Sequence, residues 1–320
     1  MKFRGVDLAF IPALTRLKYL ERGVPEPAVG DVSARRNRAG SMAVWLAKQF
    51  GHVPNVEIID HNTDVLRIRE YRPHNMRVAG QPTPAIIHIH GGGMIMSTVE
   101  SYDQRCSAYA RATGFPVFSV DYRLAPEHPY PAALDDCFNA YTWLLDNAQS
   151  LHINAHKISL LGNSAGSGLA AALSLRIRDS KTVPPRCQVL IYPMLDYRNV
   201  VMKPGWEDTW LYWNFNDNKT AWDAYLCDIP ENSPPPIYAS PAIARDFHDL
   251  PDTYICVGTA DIFLDEDLDF AARLQAASVK TTLQVIEGAP HNFDYLAPRC
   301  RQSRESWRAR FAYIVDHIED

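Results

Sequence analysis

Lys157-Ile158-Ser159-Leu160-Leu161-Gly162-Asn163-Ser164-Ala165-Gly166-Ser167-Gly168-Leu169-Ala170-Ala171-Ala172-Leu173-Ser174-Leu175 is the stretch that decides the fold. Its first five residues read as a short buried strand, and the small-residue run from Ser167 reads as a helix. Between them lies Gly162-Asn163-Ser164-Ala165-Gly166, a Gly-x-Ser-x-Gly pentapeptide on a strand-to-helix turn. A serine on so sharp a turn is held in a strained backbone conformation with its hydroxyl pushed out of the sheet. The flanking glycines are required because a Cβ there would strike the neighbouring strand and helix. The amides that open the helix favour negative charge beside the hydroxyl. Ser164 is therefore the candidate nucleophile.

Upstream, Pro84-Ala85-Ile86-Ile87-His88-Ile89-His90 is the kind of β-branched run a central parallel strand needs, and it enters Gly91-Gly92-Gly93 directly. Glycines at the end of a strand let the backbone approach a ligand closely and aim several N–H groups at one point. Acyl transfer needs such a device, because its tetrahedral intermediate carries an oxyanion; losing one preorganised donor costs about 10²–10³ in rate.

His90-Gly91-Gly92-Gly93 together with Gly162-Asn163-Ser164-Ala165-Gly166 resembles the hormone-sensitive-lipase-like (bacterial family IV) esterases of the α/β-hydrolase fold. A third segment, Asp121-Tyr122-Arg123-Leu124-Ala125-Pro126-Glu127-His128-Pro129-Tyr130-Pro131-Ala132-Ala133, is similar to the one that follows the next strand in that family. The resemblance runs from about residue 56 to the C-terminus. It implies an oxyanion hole made of the N–H groups of Gly92, Gly93 and Ala165, and a helical cap over the serine. The chain departs from the pattern at Asn163, where Asp is commoner, and at Ser167, where a further Gly is usual. Met94-Ile95-Met96-Ser97 also lacks the Gly often found at its end.

In this fold the chain order is serine, acid, histidine. Asp261 sits just past the buried run Tyr254-Ile255-Cys256-Val257-Gly258-Thr259-Ala260, and the carboxyl ends of parallel strands are where such sites assemble. Asp265, Asp267 and Asp269 fall on the helix that follows, where early acids complement the helix dipole. Asp261-Ile262-Phe263-Leu264-Asp265-Glu266 also looks like the family's acid motif, with Ile262, Phe263 and Leu264 in place of its Pro, Leu and Arg. Only His291 and His317 follow Asp261. His317 lies near the end of an amphipathic helix and reads as a solvated terminal residue. His291, in the loop Gly288-Ala289-Pro290-His291-Asn292-Phe293 after a strand, is the candidate base, with Asp261 orienting it.

A chain of 320 residues that is 47% hydrophobic can bury a full α/β core and a covering insertion besides. The net charge of −5 gives no reason to expect a nucleic-acid partner. Arg35-Arg36-Asn37-Arg38, the one tight basic cluster, reads as a solvated helix face. Six scattered cysteines without a Cys-x-x-Cys spacing predict neither a metal site nor a disulfide framework, and no cofactor is expected. The first residues show no secretory signal, and no apolar run is long enough for a membrane span. A cytoplasmic protein, with a homodimer as candidate assembly, is the expectation.

The spacing predicts a hairpin near 56–60 and 64–71. Strands near 85–90, 116–121, 157–161, 187–192, 253–257 and 281–286 should then alternate with helices near 102–113, 131–147, 164–179, 265–277 and 301–318. Such alternation implies a mostly parallel sheet with helices on both faces. The division expected is an N-terminal part of the cap over 1–50, a first part of the catalytic core over 51–195, a cap insertion over 196–248, and the rest of the core over 249–320. The insertion is crowded with aromatics: Trp206, Trp210, Tyr212, Trp213, Phe215, Trp222 and Tyr225. Most should hold the cap together, while Trp210 and Trp213, with Met94 and Met96, are the candidates for lining a substrate pocket. The resemblance implies a serine carboxylesterase acting on small, short-acyl esters through an acyl-enzyme. The alternatives on the same scaffold are a dehydratase-like lyase and a small-molecule receptor, as in the plant gibberellin receptors. Those receptors lack the histidine present here at 291.

Overall fold

Strand β3 (Thr83–Ile89) is buried along its whole length, which only a strand covered on both faces can be. It lies inside an eight-stranded sheet of order β1-β2-β4-β3-β5-β6-β7-β8. The other strands are β1 (Val56–Asn62), β2 (Arg67–Pro73), β4 (Val117–Val120), β5 (Ile153–Asn163), β6 (Cys187–Ile191), β7 (Asp252–Ala260) and β8 (Thr281–Pro290). The computed structural model describes residues 5–40, 51–77, 81–206, 211–230 and 232–319. The expected hairpin is β1–β2, paired antiparallel from Val56 opposite Pro73 to Asn62 opposite Arg67, and β2 runs antiparallel to β4. From β4 to β8 every neighbouring pair is parallel.

The helices are α1 (Ile11–Leu20), α2 (residues 32–40 as far as it is described), α3 (Asp103–Thr113), α4 (Ala132–Asp146), α5 (Ala165–Asp179), α6 (Phe215–Tyr225), α7 (Leu264–Ala276), α8 (Phe293–Leu296) and α9 (Arg301–Glu319). They divide the core in two. One cluster joins β3 and β5 to α4, α5 and α7 through Ile87, Leu134, Leu160, Leu173 and Phe270. The other joins β4 and β7 to α3 and α9 through Val117, Tyr109, Tyr254 and Ile314. Helix α6 begins at a capping box in which Asn214 Oδ1 accepts from Asp217 N and Asp217 Oδ2 accepts from Asn214 N.

Residues 26–36 and 211–225 meet each other above the strand ends. Gly30 N–H donates to Thr220 Oγ1 at 2.9 Å, Asn214 Nδ2 to Glu26 Oε1 at 2.7 Å, and Arg35 Nε to Asp217 Oδ1 at 2.9 Å. The basic cluster expected on a solvated face is instead tied down. Arg35 is buried, Arg36 pairs with Glu127 and Arg38 with Glu21, because each reaches an acid from a distant part of the chain. His317 is likewise not solvated: its ring stacks on Tyr313 at 3.8 Å. No helix among the described residues is long and apolar enough to cross a membrane.

Candidate active site

Ser164 stands between β5 and α5 at φ 55°, ψ −122°, a left-handed conformation that costs a non-glycine residue of order 1–3 kcal/mol. The surroundings hold it there. Its N–H donates to Ile191 O on β6 at 2.8 Å, and its carbonyl accepts from Ser167 N at 2.9 Å and Gly168 N at 3.2 Å. A Cβ on Gly162 would strike the backbone of Gly166, and one on Gly166 would strike the Ile89 carbonyl of β3. The two glycines thus let the turn lie flat against its neighbours. Ser167 uses its hydroxyl to accept from Ile191 N at 2.8 Å, bracing the helix start against β6. Asn163 presents its oxygen to His88 Nε2 at 3.2 Å and its amide to the Tyr192 hydroxyl at 3.3 Å.

Asp261 follows β7 and His291 follows β8, and the parallel pairing of those strands sets the two side by side. His291 Nδ1 lies 2.7 Å from Asp261 Oδ2, and Nε2 lies 3.0 Å from Ser164 Oγ. A carboxylate only accepts, so Nδ1 carries the proton and Nε2 is left to accept from the serine hydroxyl. Asp261 Oδ1 also accepts from Phe263 N at 3.1 Å, and the Phe263 and Tyr192 rings stand edge-on to the imidazole at 5.1 and 4.7 Å. All three members are buried, with Ser164 the most accessible at 7%. The acids of α7 are placed differently. Asp265 pairs with Lys203 in solvent, Asp269 faces Arg273, and Asp267 is enclosed with neither oxygen hydrogen-bonded. Burial pushes the Asp267 carboxyl well above the usual range.

The glycine loop is a tight turn in which Ile95 N and Met96 N both donate to Gly92 O, at 3.1 and 3.0 Å. Gly92 and Gly93 have φ of 115° and 63°, which side chains rarely adopt. Gly91 N–H donates to the Tyr102 hydroxyl at 3.0 Å. Among the described residues, the N–H groups of Gly92, Gly93 and Ala165 have no acceptor. His90 stacks on Tyr122 with ring centroids 4.1 Å apart, and its Nδ1–H donates to Gly91 O at 2.8 Å. Burial holds His90 down to about 4 and His88 to about 3, so both rings are neutral.

A family model described as the alpha/beta hydrolase fold matches residues 86–295. A curated relative, ethyl acetate hydrolase of Pseudomonas putida, is 29% identical over 84% of this chain and 85% of its own. Another, Lipase 2 of a Moraxella species, is 32% identical over 65% of this chain, and the match spans 54% of that lipase. Among solved structures, a bacterial heroin esterase superposes with a TM-score of 0.86 at 29% identity, over 99% of both chains. This chain belongs to the hormone-sensitive-lipase-like carboxylic ester hydrolases.

In this ester hydrolase a cavity of about 670 Å³ opens above Ser164 and His291. Of the residues expected to line it, Met96 and Trp213 do, and Trp210 lies outside the described residues. Met94 does not. Its left-handed φ of 57° turns the side chain into the core while Met96, two residues on, reaches the wall. Tyr212 joins the lining, whereas Phe215, Trp222 and Tyr225 are core residues. Arg105, Tyr192 and Asn292 are among the lining residues that the sequence did not single out. Each left a signal. Arg105 falls on the buried stripe of α3 that includes Tyr102, Cys106 and Tyr109, where an apolar residue belongs. Asn292 follows the candidate base at φ 62°, a conformation Asn tolerates better than most residues.

Proposed function

We propose that this chain is a serine carboxylesterase that cleaves small, short-acyl esters through an acyl-enzyme, with Ser164 as nucleophile, His291 as base and Asp261 as its orienting acid. What supports this most is the single line of contacts from Asp261 through His291 to Ser164, beside three N–H groups without acceptors. In the first half-reaction Ser164 Oγ attacks the ester carbonyl as Nε2 of His291 takes its proton. The oxyanion of the tetrahedral intermediate is met by the N–H groups of Gly92, Gly93 and Ala165. His291 then returns the proton to the departing alcohol oxygen, leaving the acyl group on Ser164. Water repeats the sequence against the acyl-enzyme and releases the acid. Asp261 keeps Nδ1 protonated and stabilises the imidazolium.

Residues 1–50 and 196–248 are proposed as a cap that closes the cavity, and its volume favours small substrates over long triglycerides. The proposed assembly is a homodimer, for which β8 offers an open sheet edge with Val285 exposed. A receptor would have no use for the 3.0 Å contact between base and nucleophile, which weighs for the enzyme. The deciding experiment is hydrolysis of p-nitrophenyl esters from acetate to dodecanoate by the wild type and Ser164→Ala. The wild type should prefer the short chains, and the variant should lose about 10⁴-fold or more in kcat with its melting temperature retained. Turnover that survives in Ser164→Ala, or a preference for dodecanoate, would sink the reading.

A further inference from the structure

Among the described residues, the arginines and carboxylates that line the cavity are paired, with Arg105 the exception. Arg35, Arg36 and Arg38 have Asp217, Glu127 and Glu21. Arg105 lines the same cavity and is 3% exposed. Among the described residues it has no carboxylate within ion-pair distance. Its Nη2 donates to Asn292 Oδ1 at 2.7 Å and its Nη1 to the Tyr192 hydroxyl at 3.4 Å, both neutral acceptors. Its Nε is buried with no acceptor among the described residues. The guanidinium lies over the Tyr295 ring at 3.8 Å and the Tyr102 ring at 4.6 Å.

Asp294 lies near enough for its charge to act on Arg105, but it is committed elsewhere. It takes Arg310 at 2.5 Å and the Tyr192 hydroxyl at 3.0 Å. Among the described residues, two buried guanidinium groups therefore share one carboxylate, which leaves an excess of one positive charge in the wall of the cavity. A buried ion without a counter-charge is costly, and stacking on two tyrosine faces offsets only part of that cost. An anion entering the cavity would complete the pair.

We propose that Arg105 is a carboxylate subsite and that the preferred substrates are short esters carrying a free carboxylate, an inference that rests on the serine-esterase reading. The subsite belongs to the reaction centre. Asn292, which Arg105 holds, directly follows His291. Tyr102, whose ring Arg105 covers, accepts the N–H of Gly91 at the start of the glycine loop. An anion on the Nη groups would lie beside the reacting carbonyl. The carboxylate could sit on the acyl side, as in the monoester of a dicarboxylic acid, or on the alcohol side, as in the acyl ester of a hydroxy acid.

Two matched pairs separate these sources: 4-nitrophenyl hydrogen glutarate against its carboxamide analogue, and O-acetyl-lactate against O-acetyl-lactamide. The wild type should favour the carboxylate member of one pair by about tenfold or more in kcat/KM. Arg105→Gln should shrink that ratio by about tenfold or more, with Arg105→Lys retaining part of it. Wild-type ratios of one or less in both pairs overturn the proposal. So does an Arg105→Gln variant that slows both members of a pair equally, since that marks Arg105 as a positioning residue for the His291 loop. If Arg105→Gln fails to fold, inhibition of wild-type p-nitrophenyl acetate hydrolysis decides: glutarate should inhibit and glutaramide should not, and equal inhibition overturns the proposal. Absence of turnover on every ester, charged and neutral alike, would break the serine-esterase reading instead.

Discussion

The strand ends beneath the cavity and the layer above it are built by different means. Below, short sequence segments and backbone contact fix everything. Ser164 is pinned by Ile191 O, its flanking glycines by the carbonyl of Ile89 and the backbone of the turn, and His291 by a carboxylate just past the end of the adjacent strand. Above, residues from opposite ends of the chain meet as charged and polar pairs. Arg35 and Asp217 are 182 positions apart, Asn214 and Glu26 are 188, and Arg36 and Glu127 are 91. The lower region can be read from local motifs because its geometry is enforced by hard contact. The upper one depends on which distant partners the fold brings together.

The largest effect that tests this contrast is on the acid. Asp261→Asn removes the group that holds the histidine tautomer and should lower kcat by roughly 10⁴. Asp265→Asn, four residues on but exposed and paired only with Lys203, should change kcat by less than about twofold. Steady-state kinetics on p-nitrophenyl butyrate compares them, and loss of activity in Asp265→Asn with Asp261→Asn intact would reverse the assignment. A smaller effect is expected in the upper layer. Asp217→Ala strands the buried guanidinium of Arg35 and removes one half of the capping box of α6, the bond from Asn214 N to the Asp217 carboxylate, at a cost of about 3–5 kcal/mol in denaturant unfolding. A loss under about 1 kcal/mol would mean that the layer is held by other contacts.

The smallest effect concerns pH and belongs to the strands. Burial keeps His88 and His90 neutral, with folded values of about 3 and about 4 against 6.5. As pH falls through 6.5 the unfolded chain takes up protons at these positions and the folded chain does not. Their contribution to stability is therefore intact above pH 6.5 and is lost as pH drops toward 4. By pH 5 this is roughly 2 kcal/mol per histidine. Urea titrations at pH 7 and pH 5 measure it, and His88→Gln should remove about half of the difference. Equal stability at the two pH values would show that neither ring is held neutral.

Most of the fold was legible because buried parallel strands carry their β-branched runs openly. Expected strands near 85–90, 187–192 and 253–257 correspond to Thr83–Ile89, Cys187–Ile191 and Asp252–Ala260. Helix α6 of the aromatic insertion starts at Phe215, where the Asn214 capping box opens it. Arg35-Arg36-Asn37-Arg38 was misread because a run of charge looks solvated until its acids are found 91 and 182 residues away. Met94 and Met96 were indistinguishable as sequence, and a single positive φ sent one into the core and the other to the cavity wall.

The sequence by itself determined the sheet, the strained serine turn, the glycine loop and the chain order of acid and histidine. Each is written in a few adjacent residues whose backbone permits little else. Only the tertiary structure decided what surrounds them: that Asp261 rather than an acid of α7 meets His291, that Arg35 is a buried strut, and that Arg105 faces the cavity with no carboxylate at ion-pair distance among the described residues. Electrostatic pairing and burial depend on distances between residues far apart in the chain, and those distances exist only once the core has closed.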